Sequence, residues 1–568
     1  MKLRHITRAL FIVAFAASGA PGSAAEAENR HLNILYWQAV SILNPYLSGG
    51  TKDIEAASMV IEPLAHYDEN GAMVPVLAAE IPTLENGGVA KHLRSITWKL
   101  KSGITWSDGT PLTARDVAFS GAYCLDEQAG CASRASFADV SAVEALDDLT
   151  VRITFAVAKP WPYGPFVGSL SPIIQNAQFQ YCLGARAQEC TEQNFGPIGT
   201  GPFKVDEFRA NDVVNYSANE RYREAGKPWF RTATFKGGGD AASAARAVLE
   251  TGEYDYAWNL QVEPEVLARM VAAGKGEVLM GFGSQVERLM VNQTNDDSSL
   301  GERRSLYLDG TNPHPFLADP AVRRALSLAI DREVLVVIGY GASGRPACNV
   351  VPAPAAYASV ANEACKTPDP AEANRILDEA GWLRGDDGVR AKDGIRLSIL
   401  YQTSTNSVRQ GTQALIKQMW DAIGVETELR NIDAAVFFGA DPASPDTFQK
   451  FYADVQMYTN NFQGTDPEVY MAGWVCDQSP GPHNQWLGTN IPRGCSVEYD
   501  RLVQQLSITP PGEDRIRIAK RLNDIIVQNY YMIPLIWRAT VSARSNSLMG
   551  ARMNPWDSEL WNVADWHR

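Results

Sequence analysis

The chain holds 568 residues, enough for several domains or a few large lobes with sizeable cores. Hydrophobic residues make up 45% and charged residues 20%, which excludes a disordered polymer and a fibrous repeat. Lys and Arg number 51 against 65 Asp and Glu, a formal charge of −14. A surface this acidic gains nothing from counterion release on phosphate backbones, which argues against nucleic acid as a partner.

The N-terminus opens the chain's organisation. Lys2, Arg4 and Arg8 precede the apolar run Ala9–Ala17, and Gly19–Ala25 is small and turn-prone. That run is far short of the roughly 18 residues a spanning helix needs, and the layout is that of a secretory signal peptide. Ser23-Ala24-Ala25 places cleavage after residue 25, and no Cys precedes Cys124 to carry a lipid. The expectation is an exported, unanchored, periplasmic product, three charges more negative without its leader.

Strand and helix periods then alternate. Ser95–Lys101 puts Ile96, Trp98 and Leu100 on one face, and Leu149–Val157 repeats the pattern with Leu149, Val151, Ile153, Phe155 and Val157 inward. Asp319-Pro320 opens a helix with the apolar stripe Val322, Ala325, Leu326, Ala329 and Ile330. Asp369-Pro370 opens another, with Ala373, Ile376, Leu377 and Ala380 buried and Gly381 stopping it. Thr412–Ile423 predicts a third, followed by a strand at Val425–Arg430. The fold class is α/β. Pro- and Gly-rich linkers fall near 196–202, 237–239, 348–361 and 440–445, with no repeat and no low-complexity tract.

Eight cysteines fall into four neighbouring pairs: Cys124 and Cys131, Cys182 and Cys190, Cys348 and Cys365, Cys476 and Cys495. In an exported chain this clustering favours sequential disulfides. No CxxC occurs and no His lies near a Cys, so no metal site is expected.

Catalytic signatures are absent: no GxSxG, no HExxH, no Walker-type loop. Gly339–Gly344 matches GxGxxG, but Arg345-Pro346 leads it into a loop rather than a phosphate-binding helix. The seven histidines are scattered, and no cofactor is implied. What is abundant is aromatic surface, with 14 Trp, 20 Tyr and 19 Phe. Tyr36-Trp37-Gln38 and Tyr458–Gln463 mix flat apolar faces with amides, as a pocket enclosing a small solute requires. Core packing is the competing reading of both clusters.

Thr97–Ser120, TWKLKSGITWSDGTPLTARDVAFS, has a strand, a Ser107-Asp108-Gly109 turn and a helix opened by a Thr113-x-x-Asp116 box. It resembles the diagnostic segment of the extracytoplasmic solute-binding proteins of family 5, which serve peptide-type ABC transporters and include dipeptide-, oligopeptide- and nickel-binding members. Gly199–Phe203 looks like that family's GTGPY/F turn, and Ala244–Ala257, with Gly252–Asp255, like its "sGevD" segment. Asp319–Arg332 and Asp369–Trp382 resemble two of its helices, Thr465–Trp474 its DP-containing loop, and Ile533–Ser545 its returning strand. The similarity spans roughly residues 33–550.

The resemblance implies a two-lobed periplasmic-binding-protein fold (type II-like, cluster C) with an extra domain, closing like a hinged clamp. Lobe I would be 31–62, 196–284 and 533–568, the extra domain 63–195, and lobe II 285–532. The lobes would cross near Gln285–Asn292 and Tyr531–Pro534. The function implied is a monomeric, non-catalytic receptor that captures a peptide-like solute and hands it to an ABC permease. The alternatives are a non-peptide solute, such as an oligosaccharide, an opine-like conjugate or a modified amino acid, and, from another class, a secreted hydrolase.

In peptide-binding members of the family an aspartate three residues before the DP aspartate pairs with the peptide's ammonium. Here Gln463 stands at that position, before Asp466-Pro467. Either Asp466 itself serves, or the amine is recognised elsewhere, or the solute lacks one. The candidate contacts are therefore Trp37, Tyr458, Asn460, Asn461, Gln463, Asp466 and Trp474, with Arg409 a candidate partner for a solute carboxylate.

Overall fold

The computed structural model describes residues 30–439, 441–460 and 462–568; the expected leader at 1–25 lies outside them. Three separated stretches of chain build a seven-stranded sheet. Its spatial order is Gly276–Gly281, Thr540–Ser545, Tyr256–Ala257, His31–Tyr36, Thr232–Gly237, Val213–Ala218 and Phe203–Arg209. His31–Tyr36 lies near its centre, parallel to Thr232–Gly237, and its alternation buries Leu32, Ile34 and Tyr36.

A six-stranded sheet runs Gly344–Pro346, Met532–Arg538, Val286–Val291, Val455–Asn460, Ser398–Ser404 and Glu426–Ile432. Every residue of Val286–Val291 is buried, as expected of a central strand covered on both faces. It pairs antiparallel with both neighbours. A smaller antiparallel sheet, Ser95–Lys99, Thr150–Phe155 and Val140–Ala145, belongs to the region between residues 63 and 195. Its core is continuous with that of the seven-stranded sheet, since Trp98 and Ile153 share one apolar cluster with Ile34, Tyr216 and Trp566. The two sheets therefore form one body, and the six-stranded sheet the other.

The chain passes between the two large sheets at 282–285 and again at Ala539, beyond the Tyr531–Pro534 segment expected to cross. Met532–Arg538 belongs wholly to the six-stranded sheet. The crossings are tied together: Arg538 N–H donates to the Gln285 carbonyl at 3.1 Å, and Gln285 Nε2 donates to Thr540 Oγ1 at 2.8 Å.

Local signals explain most elements. Asp116 accepts the Thr113 N–H at 2.9 Å, and the helix runs Ala114–Leu125. Asp319 accepts from Ala321 N at 2.9 Å, Pro320 opens the helix Pro320–Leu328, and the whole expected stripe is buried. Ala373, Ile376 and Leu377 are buried as expected, whereas Ala380 is only half-buried. The strand at Thr150–Phe155 buries Val151, Ile153 and Phe155, but it is shorter than its alternation, so Leu149 is exposed in the preceding turn. The third helix starts earlier than expected, at Ser407, because Asn406 caps it by accepting the Arg409 N–H at 3.0 Å. In the Gly199–Phe203 turn, a Cβ on Gly199 would collide with the Val60 carbonyl, to which Gly201 N–H donates at 2.8 Å. Gly339 ends a helix and Gly344 begins an edge strand, so the GxGxxG letters face no helix N-terminus.

All four sequential disulfides form: Cys124–Cys131, Cys182–Cys190, Cys348–Cys365 and Cys476–Cys495. Among the described residues no helix is long and apolar enough to cross a membrane.

Candidate functional site: a cleft between the two bodies

A cleft separates the two bodies and has two connected chambers. The larger holds a free volume of about 210 Å³. Tyr67, Trp161 and Tyr163 wall it from the first body, and Tyr458, Tyr470 and Trp474 from the second. The smaller, about 90 Å³, is polar, with Gln38 and Asn259 facing Arg409, Thr459 and Arg538. Gly49, Thr51, Phe448, Tyr458 and Asn460 line both, so one elongated solute could occupy the two together.

Five of the expected contacts meet in the larger chamber: Tyr458, Asn460, Gln463, Asp466 and Trp474. Asn461 lies outside the described residues. Gln463 reaches across the cleft. Its Nε2 donates to Ser169 Oγ at 2.6 Å, and its Oε1 accepts from Leu170 N at 3.1 Å. Asp466 is held by Arg515 through two bonds of 2.8 and 2.6 Å. That carboxylate is already compensated, in the bidentate geometry that suits a guanidinium best.

Trp37 lines neither chamber. It is 3% exposed, and its indole N–H donates to the Asn259 carbonyl at 2.9 Å, so it braces a lining residue from behind. Its neighbour Gln38 is the one on the wall. Arg409 does reach the smaller chamber, but it lies inside a helix turn rather than before it, and its charge is spent. Its Nε donates to Glu287 at 2.9 Å and its Nη1 to Ser404 Oγ at 2.7 Å. Burial would raise the Glu287 carboxyl, but the adjacent Arg409 and Arg538 outweigh it and hold it below the usual range. Burial lowers the Arg538 guanidinium. Burial and the neighbouring Glu559 push the Glu55 carboxyl, which accepts from Ser558 and Glu559, up to about 8.

Sequence reasoning missed Tyr470, Arg538, the Tyr67–Trp161–Tyr163 wall, and Arg288, which lies behind Tyr470 and Trp474. One signal was present: Glu287-Arg288 places two charges in the middle of the apolar strand VERLMV. The wall residues carry no such mark, because aromatics in irregular loops look like core.

Neither chamber is lined by a described histidine, lysine or cysteine. The cluster best placed for a cation, Asp296, His314 and Asp454, lies elsewhere. There His314 Nδ1 accepts the Leu317 N–H at 3.0 Å, which puts the ring proton on Nε2, facing Asp454 at 2.8 Å. A metal at Nε2 would have to displace that proton, so these residues fit a hydrogen-bonded cluster better than a metal centre.

Residues 72–490 match the family described as bacterial extracellular solute-binding proteins, family 5 Middle. The glutathione-binding protein GsiB of Shigella boydii is 26% identical over 520 residues, covering 90% of each chain. Among solved structures, the oligopeptide-binding protein AppA of Bacillus subtilis, in complex with a nonapeptide, aligns over 94% of this chain and 98% of its own. Its TM-score is 0.79 at 20% identity. NikZ of Campylobacter jejuni, in complex with Ni(L-His), aligns over 95% and 100%, with a TM-score of 0.78 at 22% identity.

Proposed function

The chain belongs to the bacterial extracellular solute-binding proteins of family 5, and from that membership we propose that it captures a small peptide or peptide-like solute between its two bodies and delivers it to an ABC permease. The observation that carries this reading is a cleft whose aromatic and amide walls come from both bodies, which are joined by two short crossings. Such a hinge lets a solute complete the contacts of both halves at once. The glutathione-binding relative and the nonapeptide complex of a structural neighbour support a peptide as the solute class.

In this reading lobe I comprises 31–62, 196–284 and the C-terminal stretch from Thr540, with 63–195 joined to it and lobe II extending from 285 through Arg538. The protein works as a monomer in the periplasm after loss of its leader, and it binds without turnover. The absence of histidine, lysine and cysteine from the described lining favours a receptor over a hydrolase.

Calorimetric titration with di-, tri- and tetrapeptides tests this. One saturable site with the peptides recovered intact is expected. Heat that continues past saturation, with peptide consumed, would overturn the reading.

A further inference from the structure

Arg288 differs from the other buried arginines. Arg332, Arg493 and Arg515 spend their donors fully. For example, Arg332 donates to the Pro534 and Cys365 carbonyls at 2.8 and 2.9 Å, and Arg493 to Ser305 and Gln449 at 2.8 and 2.7 Å. Arg288 is likewise 0% exposed, yet its Nε and Nη2 have no hydrogen-bond partner. Among the described residues it forms no ion pair: its strand neighbour Glu287 points to the opposite face and pairs with Arg409. Its one bond runs from Nη1 to the Tyr470 hydroxyl. Otherwise it rests on ring faces, 5.7 Å from the Tyr470 centroid and 5.3 Å from that of Trp474. A buried cation without a counter-charge is costly, so its persistence calls for a partner that arrives from outside.

The groups between Arg288 and the cleft are donors. Because the Tyr470 hydroxyl accepts from Arg288, its own hydrogen is left to donate. Tyr458, directly opposite Arg288 in the strand register, has a buried hydroxyl without a partner among the described residues, and the buried Trp474 indole N–H likewise has none there. All three side chains line the larger chamber. Among the described residues the one carboxylate lining that chamber, Asp466, is paired with Arg515.

We propose that Tyr458, Tyr470 and Trp474, backed by Arg288, form an anion subsite that takes a carboxylate of the solute. This rests on the reading of the cleft as a solute site and adds the class of solute: one that presents an acidic group at the aromatic end. Arg288 acts as a positioning residue. It orients Tyr470 as a donor and supplies the positive field; the Tyr470 hydroxyl makes the contact, and the Tyr458 hydroxyl and Trp474 indole N–H, buried within the same wall, join it through a small shift of their rings. The Arg409 assignment for this role is thereby replaced.

The probes are 4-fluorophenylacetate and its neutral amide, 4-fluorophenylacetamide, followed by fluorine NMR titration of the full chain. They share a ring that suits the aromatic walls and have nearly the same shape, but the carboxylate is charged and purely an acceptor whereas the amide is neutral and replaces one oxygen by an N–H donor. The carboxylate is expected to bind roughly tenfold to a hundredfold more tightly than the amide, the increment of a charge-assisted hydrogen bond. Arg288→Met should abolish that preference. Tyr470→Phe, which leaves the guanidinium in place and removes one hydroxyl, should reduce it even if Arg288→Met does not fold. Equal binding of the two probes, binding of neither, or a preference that survives in Tyr470→Phe would each overturn the proposal. Failure of every peptide in the calorimetric series, beside a retained carboxylate preference, would sink the peptide reading and leave the subsite standing.

Discussion

Lys159 and Glu468, 309 positions apart in sequence, meet across the two bodies with Nζ 2.6 Å from Oε1 and both side chains almost fully buried. Lys159 follows the small three-stranded sheet, and Glu468 opens the helix Glu468–Ala472 on the other side. Around them Asp139 approaches Lys159 at 3.1 Å, and Arg515 donates to Glu468 at 2.6 Å. The network joins the bodies beside the larger chamber, where it acts as a latch.

Lys159→Met should therefore loosen the closed arrangement. Lys159 gives up its bonds to Glu468 and to Asp139, but Glu468 keeps Arg515 and only the Glu468 bond joins the bodies, so the loss between them is that of one charge-assisted bond, about 2 kcal/mol. Small-angle scattering should show a larger radius of gyration for the variant, with its secondary structure unchanged. An unaltered radius would show that the pair does not hold the bodies together.

Glu55 provides a pH signature. A solvated Glu titrates near 4.5, whereas burial first, and the negative charge of Glu559 second, push Glu55 up to about 8. The native state thus binds more protons than the unfolded state between those values. The stability contributed is fully present below pH 4.5 and is lost as pH rises through about 8. Thermal unfolding of Glu55→Gln, compared with the parent from pH 5 to pH 9, should show a shallower decline in the variant. Parallel curves would contradict the assignment.

Because Asp466 is neutralised by Arg515, a peptide's ammonium finds no free carboxylate there. N-acetyl-trialanine should bind within about a factor of three of trialanine, roughly 0.6 kcal/mol, by calorimetry. A loss beyond about tenfold on acetylation would show that the amine is recognised after all.

Gln463 spans the cleft to Ser169 and Leu170. Gln463→Ala removes two neutral hydrogen bonds that run between the bodies. Peptide affinity should fall by roughly tenfold, at about 1 kcal/mol for each bond less what water returns. Calorimetry at unchanged folding reads this directly, and an unchanged affinity would mean that the bridge is not part of closure.

Much of the fold was legible because its signals are local. Asp319-Pro320 and Thr113-x-x-Asp116 state a helix start within four residues, and Cys pairs 7 to 19 positions apart have few other partners to meet. That Tyr458, Asn460, Gln463, Asp466 and Trp474 line one chamber has a related cause: they lie on one short stretch of chain. Trp37 and Arg409 were misread because sequence does not show which side of a wall a residue occupies, and a buried acceptor such as Glu287 lies 122 positions from Arg409. Arg288 was missed because what sets it apart, two buried donors without a partner among the described residues, shows only in a packed structure. The crossing at Ala539 was misplaced for a similar reason. Met532–Arg538 and Thr540–Ser545 read as one strand, and only sheet pairing divides them.

Native mass spectrometry of the leader-free protein, mixed with di-, tri- and tetrapeptides, tests the receptor reading most directly. One intact acidic peptide bound per protein, released unchanged on denaturation, is the result predicted. A protein that carries no peptide, or a mixture whose peptides return shortened, would contradict it.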